Sequence, residues 1–346
     1  MLRTLITLAS LVVIFAGIRA AAALVVPFLL ALFLAVLLTP AYFRLKRAGL
    51  PNYIALTLVI VSLAVFIFLS MTILRGSLDQ FTTNLPGYET GLRREFQRFM
   101  EWLSTIGVDT QSLEIGDWYS PQAIVSYAGR LARSLSLLLG QGFFIFIIAA
   151  FMLIEASGFH AKIRYIEGNS SSRLKLLDDS LAAVRNYISM KSLMSLLTGS
   201  AVGLWLFLLQ VDNFLFMGLL AFFLNFIPNI GSFIAAIPGI LLALIIYGPG
   251  LATVTAVGYV AINVGVSNVI EPKFIGDRLG ISPLIVLISL VFWGWMLGPA
   301  GMLLSVPLTM FAKMALESSS QTRSLAMLLG SPPSKRKKAR DSSSDE

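Results

Sequence analysis

Two short clusters hold the residues of this chain best suited to bind or move a solute. The first is Asn225-Phe226-Ile227-Pro228-Asn229-Ile230-Gly231-Ser232, continuing to Pro238-Gly239. Each proline, set in an apolar stretch, removes a backbone donor and bends or breaks a helix. Gly231 permits a reversed dihedral or a close backbone approach. Asn229 and Ser232 have the chemistry to cap the helix after them. Broken helices near the bilayer midplane aim partial charges at a solute, as many secondary transporters do at their sites. A kinked structural helix would explain one proline, because Pro and Gly are commoner in membrane helices anyway. Asn, Pro, Asn, Gly and Ser packed this closely point instead to a functional break.

The second cluster is Asn268-Val269-Ile270-Glu271-Pro272-Lys273-Phe274-Ile275-Gly276-Asp277-Arg278. It loosely echoes the first: Asn-x-Ile, then Pro, then Ile-Gly. Short matches arise by chance, but an internal repeat would leave the same trace. Upstream, Asn263, Ser267 and Glu271 are spaced i, i+4 and i+8, on one helical face. They form a polar stripe that leads to an acid at the end of an apolar run. Acids at membrane depth are expensive and usually functional, so Glu271 is the candidate for proton or cation coupling. The competing reading is a salt-bridged loop, since Glu271, Lys273, Asp277 and Arg278 sum to zero charge. Glu155 closes an apolar run and reads as interfacial, and Asp212 beside Asn213 reads as a turn. Gly294, Gly298, Pro299 and Gly301, near Trp293 and Trp295, predict a tight helical hairpin with close packing. Pro307 lies further on in the same apolar stretch.

The elements that must carry these clusters are membrane helices. Residues 192–270 contain one charged side chain, Asp212, where about 20 uncharged residues already suffice for one helical crossing. The whole chain is 57% hydrophobic and 13% charged, against about 25% charge in soluble domains. Apolar segments lie near 4–18, 22–39, 52–74, 138–156, 192–210, 213–227, 230–247, 251–270, 281–297 and 299–316. All read as helix, because lipid offers backbone groups no other partner. Arg3 ahead of the first run and Ala21-Ala22-Ala23 behind it have the outline of a signal peptide. Another membrane segment comes next without a break, so that run reads as a membrane helix.

Positive charges orient the chain. Arg44, Lys46 and Arg47 mark one connection, and Lys162, Arg164, Arg173, Lys175, Arg185 and Lys191 mark another. Lys335, Arg336, Lys337, Lys338 and Arg340 mark the tail. Such segments stay in the cytoplasm, which places both termini inside and 75–137 outside. Parity then allows ten simple spans, or eight spans plus one re-entrant hairpin. The second is favoured, because several late segments are short and broken by Pro or Gly. The expected fold is all-α and polytopic, in five parts. Residues 1–74 are N-terminal membrane helices. Residues 75–137 form an amphipathic helical segment outside, with Leu92, Phe96, Phe99, Met100, Leu103 and Ile106 on one face. Residues 138–191 are a membrane helix and a cytoplasmic helical connection. Residues 192–317 are a transport core with broken helices. Residues 318–346 are a tail, disordered from about 331.

Several function classes are excluded or weakened. With no cysteine, thiolate metal sites and cysteine nucleophiles are impossible. The single histidine, His160, rules out a His-rich metal site and, placed in a basic connection far in sequence from the apolar serines, argues against a Ser-His hydrolase. No Gly-x-x-x-x-Gly-Lys loop is present, so this chain alone cannot draw on ATP. No cofactor or metal is expected. The net charge of +8 lies beside apolar segments and serves orientation rather than nucleic-acid binding.

The motifs resemble those of the autoinducer-2 exporter family of bacterial inner-membrane proteins, and look most like the branch that exports the quorum-sensing signal. The likeness rests on Asn225-Phe-Ile-Pro228-Asn-Ile-Gly231-Ser232 with Pro238, and on Asn268-Val-Ile-Glu271-Pro272 with Gly276 and Leu279-Gly280. It rests also on Phe292-Trp-Gly-Trp-Met-Leu-Gly298-Pro299 running to Pro307 and Thr309. Weaker similarity covers almost the full length. The resemblance implies about eight membrane helices, secondary transport, and a homo-oligomer with five subunits as the candidate count. Two departures stand out. Ser232 replaces a proline common after the motif glycine, and Asp277 and Arg278 are not fixed charges in the family.

The first functional expectation is export of a small polar metabolite, autoinducer-2 by resemblance. Asn225, Asn229, Ser232, Asn263, Ser267 and Asn268 would replace the solute's hydrogen bonds to water. The broken ends around Pro228, Gly231 and Glu271 would line the path. Pro238, Pro272, Gly276, Gly298, Pro299 and Pro307 would shape the helices. The alternative is a sodium/proton antiporter, which some relatives resemble. A membrane hydrolase lacks its acid-base pair.

Overall fold

Hydrocarbon leaves a backbone donor no partner outside its own helix, and the described residues fold into helices joined by turns, with no strand among them. The structure, a computed structural model, describes residues 2–107, 129–130, 141–167, 171–228, 230–275, 281–317 and 322–329. Most of the expected outer segment beyond 107, the tail from 330, Asn229, Gly276, Asp277 and Arg278 lie outside the described residues.

In chain order the helices are α1 (Leu2–Ala20), α2 (Ala22–Arg47), α3 (Asn52–Thr105), α4 (Gly142–Glu167), α5 (Ser171–Leu208) and α6 (Phe214–Leu224). Next come α7 (Gly231–Tyr247), α8 (Pro249–Val264), α9 (Glu271–Ile275), α10 (Pro283–Glu317) and α11 (Arg323–Leu329). A π-helical turn, Gly265–Ile270, joins α8 to α9. Among the described residues five stretches are long and apolar enough to cross a bilayer: Ala22–Arg47, Asn52–Ser77, Leu181–Leu208, Pro249–Phe274 and Pro283–Glu317. Gly142–Glu155, Phe214–Leu224 and Gly231–Tyr247 are shorter apolar helices. This is an all-α polytopic membrane protein.

The core is built on close helix contacts. α6 folds back along α5, where Gly199, Gly203 and Gly218 let the backbones meet. A Cβ on Gly199 would sit 2.6 Å from the Gly218 carbonyl oxygen, and one on Gly218 2.8 Å from that of Gly199. Small residues give membrane helices this approach in place of a hydrophobic driving force. With 11 residues, α6 is about 16 Å long, too short to cross. Residues 225–230 then reverse the chain into α7. The Tyr247 hydroxyl at the end of α7 donates to the Gln210 carbonyl at 2.8 Å, in the turn that precedes α6. Both ends of the α6–α7 hairpin therefore lie together. The chain breaks at 225–230, while Pro238 sits buried inside an uninterrupted α7.

A second reversal lies within α10, at Gly298, whose φ of 67° and ψ of −152° are not helical. The Trp293 indole N–H donates to Thr309 Oγ1 at 3.1 Å. In a straight helix those residues would stand about 24 Å apart. The limbs 283–297 and 299–317 thus form the tight hairpin that the glycines predict. Gly301 is obligatory there, since a Cβ would lie 2.0 Å from the Trp293 carbonyl oxygen.

Residues 75–105 continue α3 rather than starting a separate element. Polarity changes near Arg75, but Arg, Glu, Gln, Leu and Met keep the helix propensity high. Tyr88 and Leu92 of this extension are buried, while Phe99, Trp102 and Ile106 are exposed. Gly91 packs so tightly on α7 that a Cβ would lie 2.5 Å from Ile245 Cγ2.

Candidate functional site

One face of α5 organises the polar interior. Lys191, Ser195, Thr198 and Val202 recur at i, i+4, i+7 and i+11, and all are buried, Ser195 completely. That spacing places them on a single inward stripe. Lys191, read from sequence as a charge holding a connection in the cytoplasm, instead lies well inside α5 and belongs to the core.

The first cluster meets this stripe at Ser195. Asn225 comes directly after the last turn of α6 and is 3% exposed. Its Nδ2 donates to Ser195 Oγ at 3.1 Å, and its Oδ1 accepts from Ser232 Oγ at 3.3 Å. The break in the chain makes this possible: it leaves Asn225 at a helix end and carries Ser232 back beside it. Gly231 permits the reversal through close approach, because a Cβ would lie 1.8 Å from the Leu224 carbonyl oxygen. The capping role expected of Ser232 is not observed. Ile230 is the N-cap of α7, without a side-chain cap, and the Ser232 hydroxyl is engaged with Asn225.

The second cluster meets the same stripe one turn away. Lys191 Nζ donates to Glu271 Oε1 at 3.0 Å and Oε2 at 3.2 Å. The pair links residues far apart in sequence, so Glu271 is held by α5 and not by the charges of its own loop. Its side chain is 20% exposed and that of Lys191 9%, so the carboxylate is the more open end. The π turn delivers Glu271 to this position. The Glu271 backbone N–H bonds to the Val266 carbonyl, and the extra residue per turn rotates α9 relative to α8. Such π segments are frequent at functional sites. Two turns back on α8, Asn263 Oδ1 is buried without a hydrogen-bond partner, as are Tyr259 OH and Thr255 Oγ1. Thr255, Tyr259 and Asn263 prolong the stripe that spacing predicts for Asn263, Ser267 and Glu271.

The remaining candidates are more scattered. Ser267 is half-buried in the π turn, whereas Asn268 and Pro272 are exposed beside it. Pro228 is half-buried in the break, and Pro238 and Pro307 are buried within helices. Gly298 makes the second reversal, and Pro299 lines an apolar cavity that Phe226 and Ile227 of the first cluster also line, while Asn225 and Glu271 do not. Among the described residues no group of three or more His, Cys, Asp or Glu could hold a metal ion.

Lys191 and Ser195 are thus the members that motif reading missed. The signal was present: Lys191, Ser195 and Thr198 share a helical face in a stretch otherwise apolar. Lys191 and Ser195 are four residues apart on α5, about 6 Å along its surface, and this brings the two clusters together. The arrangement offers a neutral amide–hydroxyl chain able to exchange hydrogen bonds with a polar solute. Beside it stands the Glu271 carboxylate, paired with Lys191 and the more open of the two.

Comparison with known proteins agrees with this architecture. The model of the family described as AI-2E family transporter matches residues 8–321. A Haemophilus influenzae protein named "Putative transport protein" is 38% identical over 95% of this chain and 96% of its own. The AI-2 transport protein TqsA of Escherichia coli is 35% identical over 95% of each chain. The Escherichia coli protein "Putative transport protein YhhT" is 34% identical over 94% of this chain and 93% of its own. The family description and all three names are those of transport proteins, not of enzymes. With matches of this extent, the chain belongs to the AI-2E family of transporters.

Proposed function

We propose that the protein is a secondary transporter of the bacterial inner membrane that exports a small polar metabolite, with autoinducer-2 as the substrate. Relationship to the AI-2 transport protein TqsA supports the substrate. The observation that carries the mechanism is the meeting of both clusters on α5, at Ser195 and at Lys191. Asn225, Ser195 and Ser232 would trade their mutual hydrogen bonds for those of the solute's hydroxyls, and Asn229, Asn263, Ser267 and Asn268 would continue the path. Glu271 would carry the coupling proton, and its protonation would release Lys191 and loosen α9 from α5. Both termini would be cytoplasmic, and the protein would work as a homo-oligomer, with five copies as the candidate number.

The sodium/proton antiporter reading gains nothing from the geometry, since Glu271 faces a lysine where a cation site would want a second acid. Uptake of labelled autoinducer-2 into everted inner-membrane vesicles, with and without an imposed proton gradient, tests the proposal. Gradient-dependent uptake that disappears in Asn225→Ala is expected. Uptake no greater than in vesicles lacking the protein would remove this substrate.

A further inference from the structure

A cavity of about 580 Å³ lies between the N-terminal helices and the core, beside the direct contacts of Phe33 with Phe226 and of Phe66 with Phe222. One wall is a stripe of α2: Leu30, Leu34, Leu37, Ala41 and Arg44, at i, i+4, i+7, i+11 and i+14. From Leu30 to Arg44 this wall runs about 21 Å along the helix. α5, α6 and α10 form the opposite wall, and α3 and α4 close the end. None of Asn225, Ser195, Lys191 or Glu271 lines it.

Three observations define what this space would hold. Among the described residues its lining is aliphatic and aromatic except for three serines and Arg44, the one charged residue there. Arg44 is exposed at one end, beside Lys46 and Arg47, where α2 leaves the apolar zone. The wall also opens sideways: Leu193 is 50% exposed and Leu196 54% exposed, on the flank of a helix apolar enough to span a bilayer. A water-soluble solute would not concentrate at such a lateral opening, whereas a lipid enters it directly. Two of the serines, Ser189 and Ser192, are buried without partners. They sit in mid-helix, where a hydroxyl can turn back to the carbonyl four residues earlier, so they do not require a polar ligand.

We propose that this cavity is a lipid site, taking an acyl chain of an anionic phospholipid along α2 with the headgroup phosphate at Arg44. The length of the α2 wall matches a chain of ordinary membrane length. The single cation at its mouth selects charge, and a guanidinium binds phosphate through paired donors. Lipid here would fill the gap beside these aromatic contacts and let α2–α4 shift against the core without opening a void.

The test uses full-length protein, purified in detergent, delipidated and titrated with phosphatidylglycerol or phosphatidylcholine of identical chains, with bound lipid counted by native mass spectrometry. One phosphatidylglycerol per chain is expected to bind at least tenfold more tightly than phosphatidylcholine. Arg44→Gln should reduce that preference below twofold and still accept phosphatidylcholine, while Lys46→Gln should leave the preference intact. Leu193→Trp, at a half-exposed position that tolerates a larger side chain, should fill the space and cut retention of both lipids tenfold. Equal binding of the two lipids by the unsubstituted protein would overturn the proposal. So would full retention in Leu193→Trp, the mark of lipid on the outer surface only. Because the chain has no cysteine, Leu193→Cys provides one more outcome. A disulfide-linked dimer that forms equally well in delipidated and lipid-saturated protein would show that a second copy covers the opening whether or not lipid is present, and would overturn the proposal.

Discussion

The chain reverses twice with the same vocabulary, at 225–231 and at 298–301, yet the two breaks hold different things. At the first, Asn225 is left buried at a helix end, bonded to Ser195 of another helix and to Ser232 across the break. At the second, Gly298 supplies a conformation that only glycine adopts easily, and Trp293 bonds Thr309 within the same hairpin. Both need a glycine for backbone contact, Gly231 against Leu224 and Gly301 against Trp293. Glycine in close backbone contact thus accompanies both reversals, whereas Pro238 and Pro307 lie inside helices, and neither residue type by itself marks a site. A site is marked by polar side chains that the break leaves inside and that reach another element. The Glu271 region is a third variant, in which a π turn rather than a break presents the side chain.

The largest effect is expected where charge is involved. Glu271→Gln leaves Lys191 buried without its counter-ion, and breaking such a pair costs about 3–5 kcal/mol. Thermal unfolding in detergent should record that loss, and the Lys191→Met/Glu271→Gln double variant should recover most of it. Gradient-driven uptake should stay absent in the double variant. If uptake returned with stability, the pair would be structural and the coupling role would fall.

Next come the two glycines that permit the breaks. Gly231→Ala and Gly301→Ala force backbone atoms apart and should each cost about 1–3 kcal/mol, read as reduced membrane abundance and a lowered Tm. Equal penalties at the two sites would support the view that the breaks are alike as backbone devices.

Asn225→Ala then separates them. It strands the Ser195 and Ser232 hydroxyls, costs about 1–3 kcal/mol, and should abolish uptake in protein that still folds. Normal uptake in Asn225→Ala would make the first break as purely structural as the second. The smallest effect is expected from Thr309→Val, which removes the acceptor of the Trp293 indole. It should lower stability by about 1 kcal/mol and leave transport unchanged. Lost transport there would mean that the second hairpin also carries a site.

Much of this was legible in the sequence because membrane physics is local. An uncharged run of sufficient length must be helix, and Pro-rich and Gly-rich clusters end or reverse it. The hairpin at Gly298 and the polar stripe toward Glu271 came from spacing alone. The continuation of α3 through residue 105 did not, because the change there is one of polarity and not of helix propensity. Ser232 was misjudged for a related reason: a hydroxyl near a helix start suits a cap, and sequence cannot show that Asn225 will lie closer.

The sequence by itself determined the class of protein, the reversals at 225–231 and 298–301 and the presence of a rare acid at the end of an apolar run, but not that Pro238 and Glu271 would lie in continuous helix. Each depends on residues within a few turns of one another. Only the tertiary structure decided that Asn225 and Glu271 address the same helix, through Ser195 and Lys191. Those contacts join residues 30 and 80 positions apart. They exist because glycine-mediated packing of α6 on α5, and the path of α8 through its π turn, bring distant segments within hydrogen-bond distance. Nothing in local propensity encodes that meeting. It arises from how closely helices can approach, and on which face each one arrives.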